Sequence, residues 1–495
     1  MKQPAPKWIM ALCLSVCLFA PDAGAAQSDL TLGIRLEPPH LDPTAGAAAA
    51  IDEITYANIF EGLTRIDETG AVKPALAKSW SISEDGLTYT FSLQQNVKFH
   101  DGTDFEASDV VFSLDRARGE SSVNAQKALF EPIEQVTAED KYTVKMTLKR
   151  PTGAMLFNLG WGDAIMVAPE SAETNKANPI GTGPFKLAKW VKGDSITLAK
   201  NPDYWGTPAK LEKATFKIVA DAAASLSALM AGDVDAFPIF PAPEMLTSIE
   251  ADPRFKVVIG TTEGETILAT NNAEQHFKDV RVRKAMAHAI NRQALIDGAM
   301  FGYGTPIGSH FAPHNPAYVD LSKVYDYDLD KARALLKEAG YEAGFSARLF
   351  LPPTDYARRS GLIIASDLKK IGIDLEIINV EWAQWLKQVF KDKDYDLTII
   401  SHTEPMDIDI YARDDYYFNY HNADFNKIIT DLNATADVAK RTELLHQAQK
   451  KLNDDAVNGF LFQLAKTGVW NARIKGLWAN APIQANDLTA VEWMD

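Results

Sequence analysis

The most regular pattern in the chain is a strand, a turn and a helix that follow one another between residues 62 and 113. Residues 87–93 (LTYTFSL) alternate apolar and polar side chains, which is typical of a half-buried β-strand. Residues 100–103 (HDGT) predict a turn, because Gly102 adopts positive φ at little cost. Residues 107–117 then follow helical spacing, so this part of the chain combines α and β structure.

Strands and helices are predicted to alternate along the rest of the chain, which indicates α/β layers. Asp221 and Asp328 are predicted N-caps, and Gly340 is a predicted helix end. The other predicted strands cover residues 29–36, 142–148, 185–190, 195–199, 214–219, 265–271, 346–351, 375–380, 395–401 and 461–470. The other predicted helices cover residues 45–63, 222–232, 280–302, 360–370 and 436–452.

The length, composition and charge of the chain limit the kind of protein that it can be. A chain of 495 residues is too long for one ordinary core, so we expect two or three lobes. The apolar fraction of 46% and the charged fraction of 23% are values of a globular protein. A formal net charge of −16 argues against nucleic acid and anionic membranes as partners.

Residues 1–26 have the pattern of a secretory signal peptide. Lys2 and Lys7 are followed by an apolar run over residues 8–20 and by small residues at 23–26. The alternative is an anchor that is not removed. No other uninterrupted apolar stretch approaches 18 residues, so the mature protein is expected to be soluble.

Both cysteines of the chain, Cys13 and Cys17, lie inside this predicted signal peptide. The residues before them do not resemble a lipid-attachment site. The mature protein is therefore expected to have no disulfide and no thiol chemistry, and this suits a periplasmic protein.

Common catalytic and metal-binding motifs are absent from the sequence. We find no GxSxG, Walker, HExxH or CxxC pattern, and the nine histidines are scattered. His310 and His314 are four residues apart, but Pro313 makes a shared helical face implausible. The sequence therefore predicts no metal site and no cofactor. The carboxylates near Asp407 leave open one different class, an exported hydrolase with paired acids.

Several segments resemble family-5 solute-binding proteins, the receptors of peptide, dipeptide and nickel ABC importers. The resemblance runs from about Leu32 to the end of the chain. The segments are residues 60–63 (FEGL), 74–80 (PALAKSW), 89–91 (YTF), 99–103 (FHDGT), 107–112 (ASDVVF), 181–185 (GTGPF), 201–206 (NPDYWG), 277–285 (FKDVRVRKA) and 289–294 (AINRQA).

The resemblance implies a two-lobed α/β periplasmic-binding-protein fold of the type II, cluster C kind, with an extra inserted α+β domain. The implied parts follow the signal peptide in an interleaved order. Lobe I takes residues 27–50, 181–260 and 466–495, the inserted domain takes residues 51–180, and lobe II takes residues 261–465.

The resemblance also implies a function. The expected protein is a monomeric periplasmic receptor, not an enzyme, that captures short peptides in a cleft between the lobes. It would deliver them to the transmembrane subunits of an ABC importer. Opines or other peptide-like conjugates are the nearest alternative ligands, and nickel or haem is a more distant one.

Acidic residues at two positions match the ligand-contacting positions of peptide-binding relatives. Glu37 lies four residues before a Leu-Asp-Pro segment, as in those relatives. Glu404 stands where relatives have the aspartate that pairs with the peptide amine, and Asp407 is the fallback for this role. The segment departs from the family pattern, with Ser401 in place of tryptophan and Ile408 in place of proline.

Arginines and tryptophans complete the predicted ligand contacts. Arg358 and Arg359 follow a predicted strand, near where dipeptide receptors place an arginine for the ligand carboxylate. Trp382 and Trp385 resemble the cleft-side Glu-Trp segment of the family, although core packing explains them equally well. Trp161 is predicted to line the opposite wall.

Overall fold

A computed structural model describes residue 1 and residues 27–46, 48–404, 406–435 and 437–494 of the chain. From residue 2 onward, the predicted signal peptide with its two cysteines lies outside the described residues. Across the described ranges, no helix has both the length and the apolar character that crossing a membrane requires.

The described elements alternate between strands and helices along the chain. The strands are β1 Asp29–Ile34, β2 Thr64–Ile66, β3 Val72–Pro74, β4 Ala77–Ile82, β5 Thr88–Leu93, β6 Ile133–Asp140, β7 Thr143–Leu148, β8 Phe185–Val191, β9 Ser195–Lys200, β10 Lys213–Ile218, β11 Ala236–Phe237, β12 Phe255–Thr270, β13 Gly304–Pro306, β14 Phe345–Leu351, β15 Ile373–Asn379, β16 Leu397–His402, β17 Gly459–Asn471, β18 Ile474–Lys475 and β19 Glu492–Trp493. The α-helices are α1 Ala49–Thr55, α2 Ala107–Arg118, α3 Met155–Asn158, α4 Ala222–Ala231, α5 Leu246–Glu250, α6 Val280–Ala289, α7 Arg292–Met300, α8 Leu329–Glu338, α9 Asp355–Lys369, α10 Trp382–Trp385, α11 Ala423–Asn433 and α12 Val438–Asp454.

One large sheet extends through both lobes. Its strand order is β15-β14-β16-β12-β17-β11-β1-β10-β9-β8, and β13 pairs with β17 as well. The two longest strands, β12 and β17, pair antiparallel along most of their length at the centre of this sheet. Their register shifts between Thr261 and Glu265, and such an irregularity bends a strand locally. The proposed boundary between lobe I and lobe II falls at this shift.

The inserted domain has a sheet of its own, in the order β4-β5-β7-β6. Alternate residues of β5 and β7, including Tyr89, Phe91, Val144 and Met146, are buried against helix α2 and its neighbours. This alternation is the pattern that the sequence shows at residues 87–93. The predicted strand and the predicted helix after it are therefore confirmed as β5 and α2.

The inserted domain is joined to lobe I by a buried hydrogen-bonded carboxylate, that of Glu61. Its two oxygens accept hydrogen bonds from Thr182 Oγ1 at 2.7 Å, Tyr204 Oη at 2.8 Å and Trp205 Nε1 at 2.8 Å. Burial raises the pKa of Glu61, and the three hydrogen bonds act in the opposite direction. Three of the family-like sequence segments thus meet at one side chain.

The prediction of a single helix over residues 280–302 is wrong. The chain forms α6 and α7 instead, because Ile290 takes an extended backbone conformation. The Asn291 side chain then accepts a hydrogen bond from the backbone N–H of Ala294 and starts the second helix.

Two other helices differ from their predicted bounds. The helix predicted over residues 45–63 is limited to α1, which follows a short 3₁₀ turn at Pro43–Ala45. The helix predicted to begin at residue 360 begins at Asp355, so both candidate arginines lie within α9. The helices that Asp221 and Asp328 were predicted to cap are confirmed as α4 and α8, where both side chains accept N-terminal backbone hydrogen bonds.

Candidate functional site

A cavity of about 700 Å³ lies between the inserted domain and lobe II. Residues 126–132 and 154–161 form one wall. The segments around α10, the end of β16, residue 404, residues 406–417 and α12 form the other. This volume is in the range of sites for small solutes. The resemblance implied a cleft between the two lobes, whereas the described lining residues of this cavity come from the inserted domain and lobe II.

Aromatic side chains form much of both walls. Trp385 lines the cavity, and its Nε1 donates to Thr398 Oγ1 at 3.0 Å, which fixes the indole ring. Phe390 lies nearly parallel to it, with 6.2 Å between ring centroids. Trp161 lines the cavity from the inserted domain, and its contact with a ligand stays a prediction. Trp382 is 44% exposed and packs edge-on against Trp385, outside the described lining.

Asp407 lines the cavity and pairs with the buried His310, and the two residues form a preorganised acidic centre. His310 Nε2 lies 2.6 Å from Asp407 Oδ1, and their side chains are 1% and 15% exposed, respectively. Burial would raise the pKa of Asp407, but the charge and the hydrogen bond of His310 hold it below its usual value. Glu404 also lines the cavity, but it is exposed and contacts only the adjacent Thr403 N–H, at 3.2 Å, among the described hydrogen bonds. The fold therefore brings both predicted carboxylates to one cavity, with Asp407 the more firmly held.

His402 completes this end of the cavity. It is the last residue of β16, its Nε2 lies 3.1 Å from Tyr417 Oη, and burial lowers its pKa. His402, Glu404 and Asp407 each offer a donor atom, and these atoms lie within 4.8 Å of one another. Nitrogen and carboxylate donors of this kind suit a divalent transition metal. The sequence search missed this grouping because it relied on known motifs and on the spacing of histidine pairs.

The two histidines that the sequence analysis considered as a pair lie in different interactions. His310 belongs to the Asp407 centre. His314 Nε2 lies 2.5 Å from Glu263 Oε1, and its Nδ1 lies 2.5 Å from Thr261 Oγ1. His314 therefore interacts with the irregular segment of β12, where the two lobes meet.

Glu265 is a further carboxylate at this end of lobe II. It is 1% exposed, and its Oε2 has no hydrogen-bond partner among the described residues. Its register partners are His402 on β16 and Gln463 on β17, so the three side chains project from the same face of the sheet. Burial, followed by the charges of neighbouring carboxylates, raises the pKa of Glu265 well above its usual value.

We expect Glu265→Gln to stabilise the protein at alkaline pH. A carboxyl whose pKa is raised by folding contributes stability below its unfolded pKa of about 4.3, and this contribution is lost as the pH rises through the folded pKa. The variant lacks this loss, so its free energy of unfolding should exceed that of the wild type by on the order of 1 kcal/mol at pH 8 and hardly at all at pH 4.

Urea unfolding at several pH values measures this difference. Glu376→Gln is the matched control, because Glu376 lies exposed on β15 of the same sheet. A gain for Glu265→Gln that is independent of pH would contradict the assignment to the Glu265 carboxyl.

Glu37 is placed away from this cavity. Its carboxylate accepts hydrogen bonds from Trp190 Nε1 at 3.0 Å and from the Gly193 backbone N–H at 3.1 Å. Both donors belong to the β8–β9 hairpin of lobe I, so the Glu37 side chain is already engaged. The prediction that it contacts a ligand finds no support in this placement.

Arg358 and Arg359 are also outside the described lining. Both side chains are 44% exposed on α9. Arg358 lies 3.6 Å from the carboxylate of Glu381, and Arg359 lies 3.9 Å from that of Asp355. The expected role of these arginines with a ligand carboxylate therefore has no structural support here.

Arg441 lines the cavity, although the sequence analysis did not select it. It belongs to α12, whose sequence carries several cationic residues with no pattern that distinguishes this one. Tyr416 also lines the cavity, and this placement could be known only from the fold.

Comparisons with known proteins agree on one group. The model of "Bacterial extracellular solute-binding proteins, family 5 Middle" matches residues 71–427. The dipeptide-binding protein of Escherichia coli K12 is 32% identical over 430 residues, which cover 78% of this chain and 80% of that protein.

Two solved structures illustrate the likeness of the folds. One is the periplasmic binding protein DppA from Helicobacter pylori in complex with the peptide STSA, with a TM-score of 0.76, 26% identity and coverage of 95% of this chain and 99% of that one. The other is AgaA from A. tumefaciens R10 in complex with agropinic acid, with a TM-score of 0.75, 25% identity and coverage of 94% and 99%.

Proposed function

Because this chain belongs to family 5 of the bacterial extracellular solute-binding proteins, we propose that it is the periplasmic receptor of an ABC importer for short peptides. In this proposal, residues 1–26 are removed as a signal peptide. The mature protein acts as a monomer and passes its solute to the transmembrane subunits of the importer.

The observation that carries the peptide proposal is the Asp407 centre in an aromatic cavity. A captured peptide loses the hydration of its ammonium group, and this loss is costly unless an opposite charge lies close to it. Asp407 and the nearby Glu404 supply two carboxylates against the one imidazole of His310, so negative charge is left for the ammonium group. Aromatic walls such as Trp161 and Trp385 accept side chains of different shape without a specific hydrogen-bond pattern.

A peptide-like opine is the second candidate ligand. The likeness to AgaA, which was solved with agropinic acid, favours it. The departures from the peptide pattern at Ser401 and Ile408 favour it as well. An opine retains amine and carboxylate groups, so the same acidic centre would serve it.

We propose a receptor without catalytic activity. The family to which the chain belongs is one of solute-binding proteins. Saturable binding at one ligand per protein, with no product after prolonged incubation, is expected. Turnover of a peptide or a glycoside by the purified protein would contradict the proposal.

Thermal unfolding with ligand panels tests the ligand class. The panels are di- to pentapeptides, opines, nickel and haem, with N-acetylated peptides as the matched control. A ligand at about 100 times its Kd adds roughly 2.7 kcal/mol to the free energy of unfolding. We expect peptides with a free amine to raise the Tm and their acetylated forms to raise it less.

Other outcomes would change the proposal in distinct ways. Stabilisation by opines alone would keep the receptor role and replace the ligand. Stabilisation by nickel alone would assign the cavity to a metal or a metal complex, with His402, Glu404 and Asp407 as the first ligands to test.

A further inference from the structure

Arg441 is a cation in the cavity wall whose guanidinium is held in place by backbone. It lies in the first turns of α12, and its Nη1 donates to the carbonyl oxygens of Leu432 at 2.7 Å and Thr435 at 3.3 Å. These carbonyls belong to the end of α11 and the turn after it. The two contacts fix the position of the side chain without neutralising its charge.

The opposite edge of the guanidinium is open. Within the described part of the chain, Nε and Nη2 of Arg441 make no hydrogen bond, and no carboxylate lies within ion-pair distance of this residue. Neither atom is among the buried polar atoms that lack a partner, so neither is fully buried, and Arg441 lines the cavity. Arg413, the other arginine of the described lining, instead donates to the carboxylate of Asp409 at 3.2 Å.

Arg441 lies where the inserted domain approaches lobe II. A Cβ atom built on Gly153 would be 1.9 Å from Arg441 Nη1, so only a glycine lets the backbone pass this closely. Phe157 and Asn158 of the inserted domain line the cavity together with Arg441. Helix α12 carries Arg441, whereas the segment after β16 carries Asp407. The cavity therefore has a cation and an anion on two different elements.

We propose that Arg441 binds a carboxylate group of the captured solute through its Nε–Nη2 edge. This inference rests on the proposed function, that of a receptor for peptides or peptide-like solutes. The planar edge of a guanidinium offers two parallel N–H donors that match the two oxygens of a carboxylate.

The charge balance of the cavity supports this role. A partly buried cation without a counter-ion is unfavourable, and burial lowers the pKa of Arg441 for this reason. A bound carboxylate would supply the missing charge. Together with Asp407 it would make the cavity selective for a solute that carries a cationic and an anionic group.

Binding of matched ligand pairs tests the proposal. Each pair consists of a peptide or opine that stabilises the wild-type protein and the same compound with its carboxylate converted to an amide, measured by calorimetry. For Arg441→Gln we expect the Kd of the free acid to rise about 10- to 100-fold, while the Kd of the amide changes less than about threefold. For Arg441→Lys, the Kd of the free acid should lie between the values of the wild-type protein and Arg441→Gln.

Lys440→Gln is the matched control, because it removes the same charge from the adjacent, exposed position of α12. It should leave the ratio of the two Kd values unchanged. Peptide and opine pairs in parallel show which class of solute supplies the carboxylate.

Three outcomes would overturn the inference. Equal losses for acid and amide would make Arg441 a structural residue, through its contacts with Leu432 and Thr435. Equal affinity of the wild-type protein for acid and amide would exclude a carboxylate contact even if Arg441→Gln does not fold. If the wild-type protein bound no peptide and no opine, the proposed function itself would fail, and the inference with it.

Discussion

Glu61→Ala is expected to lower the free energy of unfolding by about 3–5 kcal/mol, which is one of the two largest effects that we predict. The substitution removes the acceptor of three hydrogen bonds, those from Thr182, Tyr204 and Trp205. Each buried donor that loses its partner costs roughly 1–3 kcal/mol, and the removed side chain also leaves a cavity.

The measurement is urea unfolding followed by tryptophan fluorescence and by circular dichroism. Glu84→Ala serves as the control, because Glu84 is exposed in the same inserted domain. A loss below about 1 kcal/mol for Glu61→Ala would show that the three donors find other partners. Non-coincident curves from the two probes would indicate that the inserted domain separates from lobe I before the rest unfolds.

Asp407→Asn is expected to weaken the binding of ligands with a free amine by about 100-fold. The carboxylate is largely buried, and loss of one partner of a buried charge pair costs roughly 2–5 kcal/mol. Glu404→Gln should have a smaller effect, because Glu404 is exposed and water screens its charge. Both variants should affect N-acetylated ligands much less.

Calorimetric titration with matched free and acetylated peptides measures both effects. Since His310 loses its partner in Asp407→Asn, the folded fraction of this variant has to be checked by its unfolding curve. Equal losses for free and acetylated peptides would remove Asp407 from amine recognition. If Glu404→Gln weakened binding more than Asp407→Asn, Glu404 would be the partner of the ligand amine, as the resemblance to the family implies.

Local pattern was sufficient for elements that pack in a regular way. The alternation at residues 87–93 identifies β5, because one face of this strand is buried and the other is partly open to solvent. The local sequence pattern was insufficient for β12, because it did not predict the first half of this strand. Residues 255–261 form a strand because β17 pairs with them, and that partner lies more than 200 residues away in the sequence.

The candidate site was predictable only where its residues lie in one segment. Glu404 and Asp407 could be selected because their segment resembles the ligand-binding segment of the family. Arg441 lines the cavity and His310 contacts Asp407 from distant segments of the chain, and no local signal in the sequence connects either residue with this site. Arg441 is recognised in the folded state because it lacks a counter-ion, and His310 is recognised because it has a buried carboxylate partner.

Contacts between the two ends of the chain have a consequence for the order of folding. The Asn58 amide donates to the Asn486 carbonyl, and Trp493 Nε1 donates to the Asp29 carbonyl, at sequence separations of 428 and 464 residues. Lobe I therefore cannot be completed until nearly the whole chain has left the ribosome. A polypeptide with contacts this distant in sequence folds slowly, and its first segments stay incompletely folded until the last ones have been made.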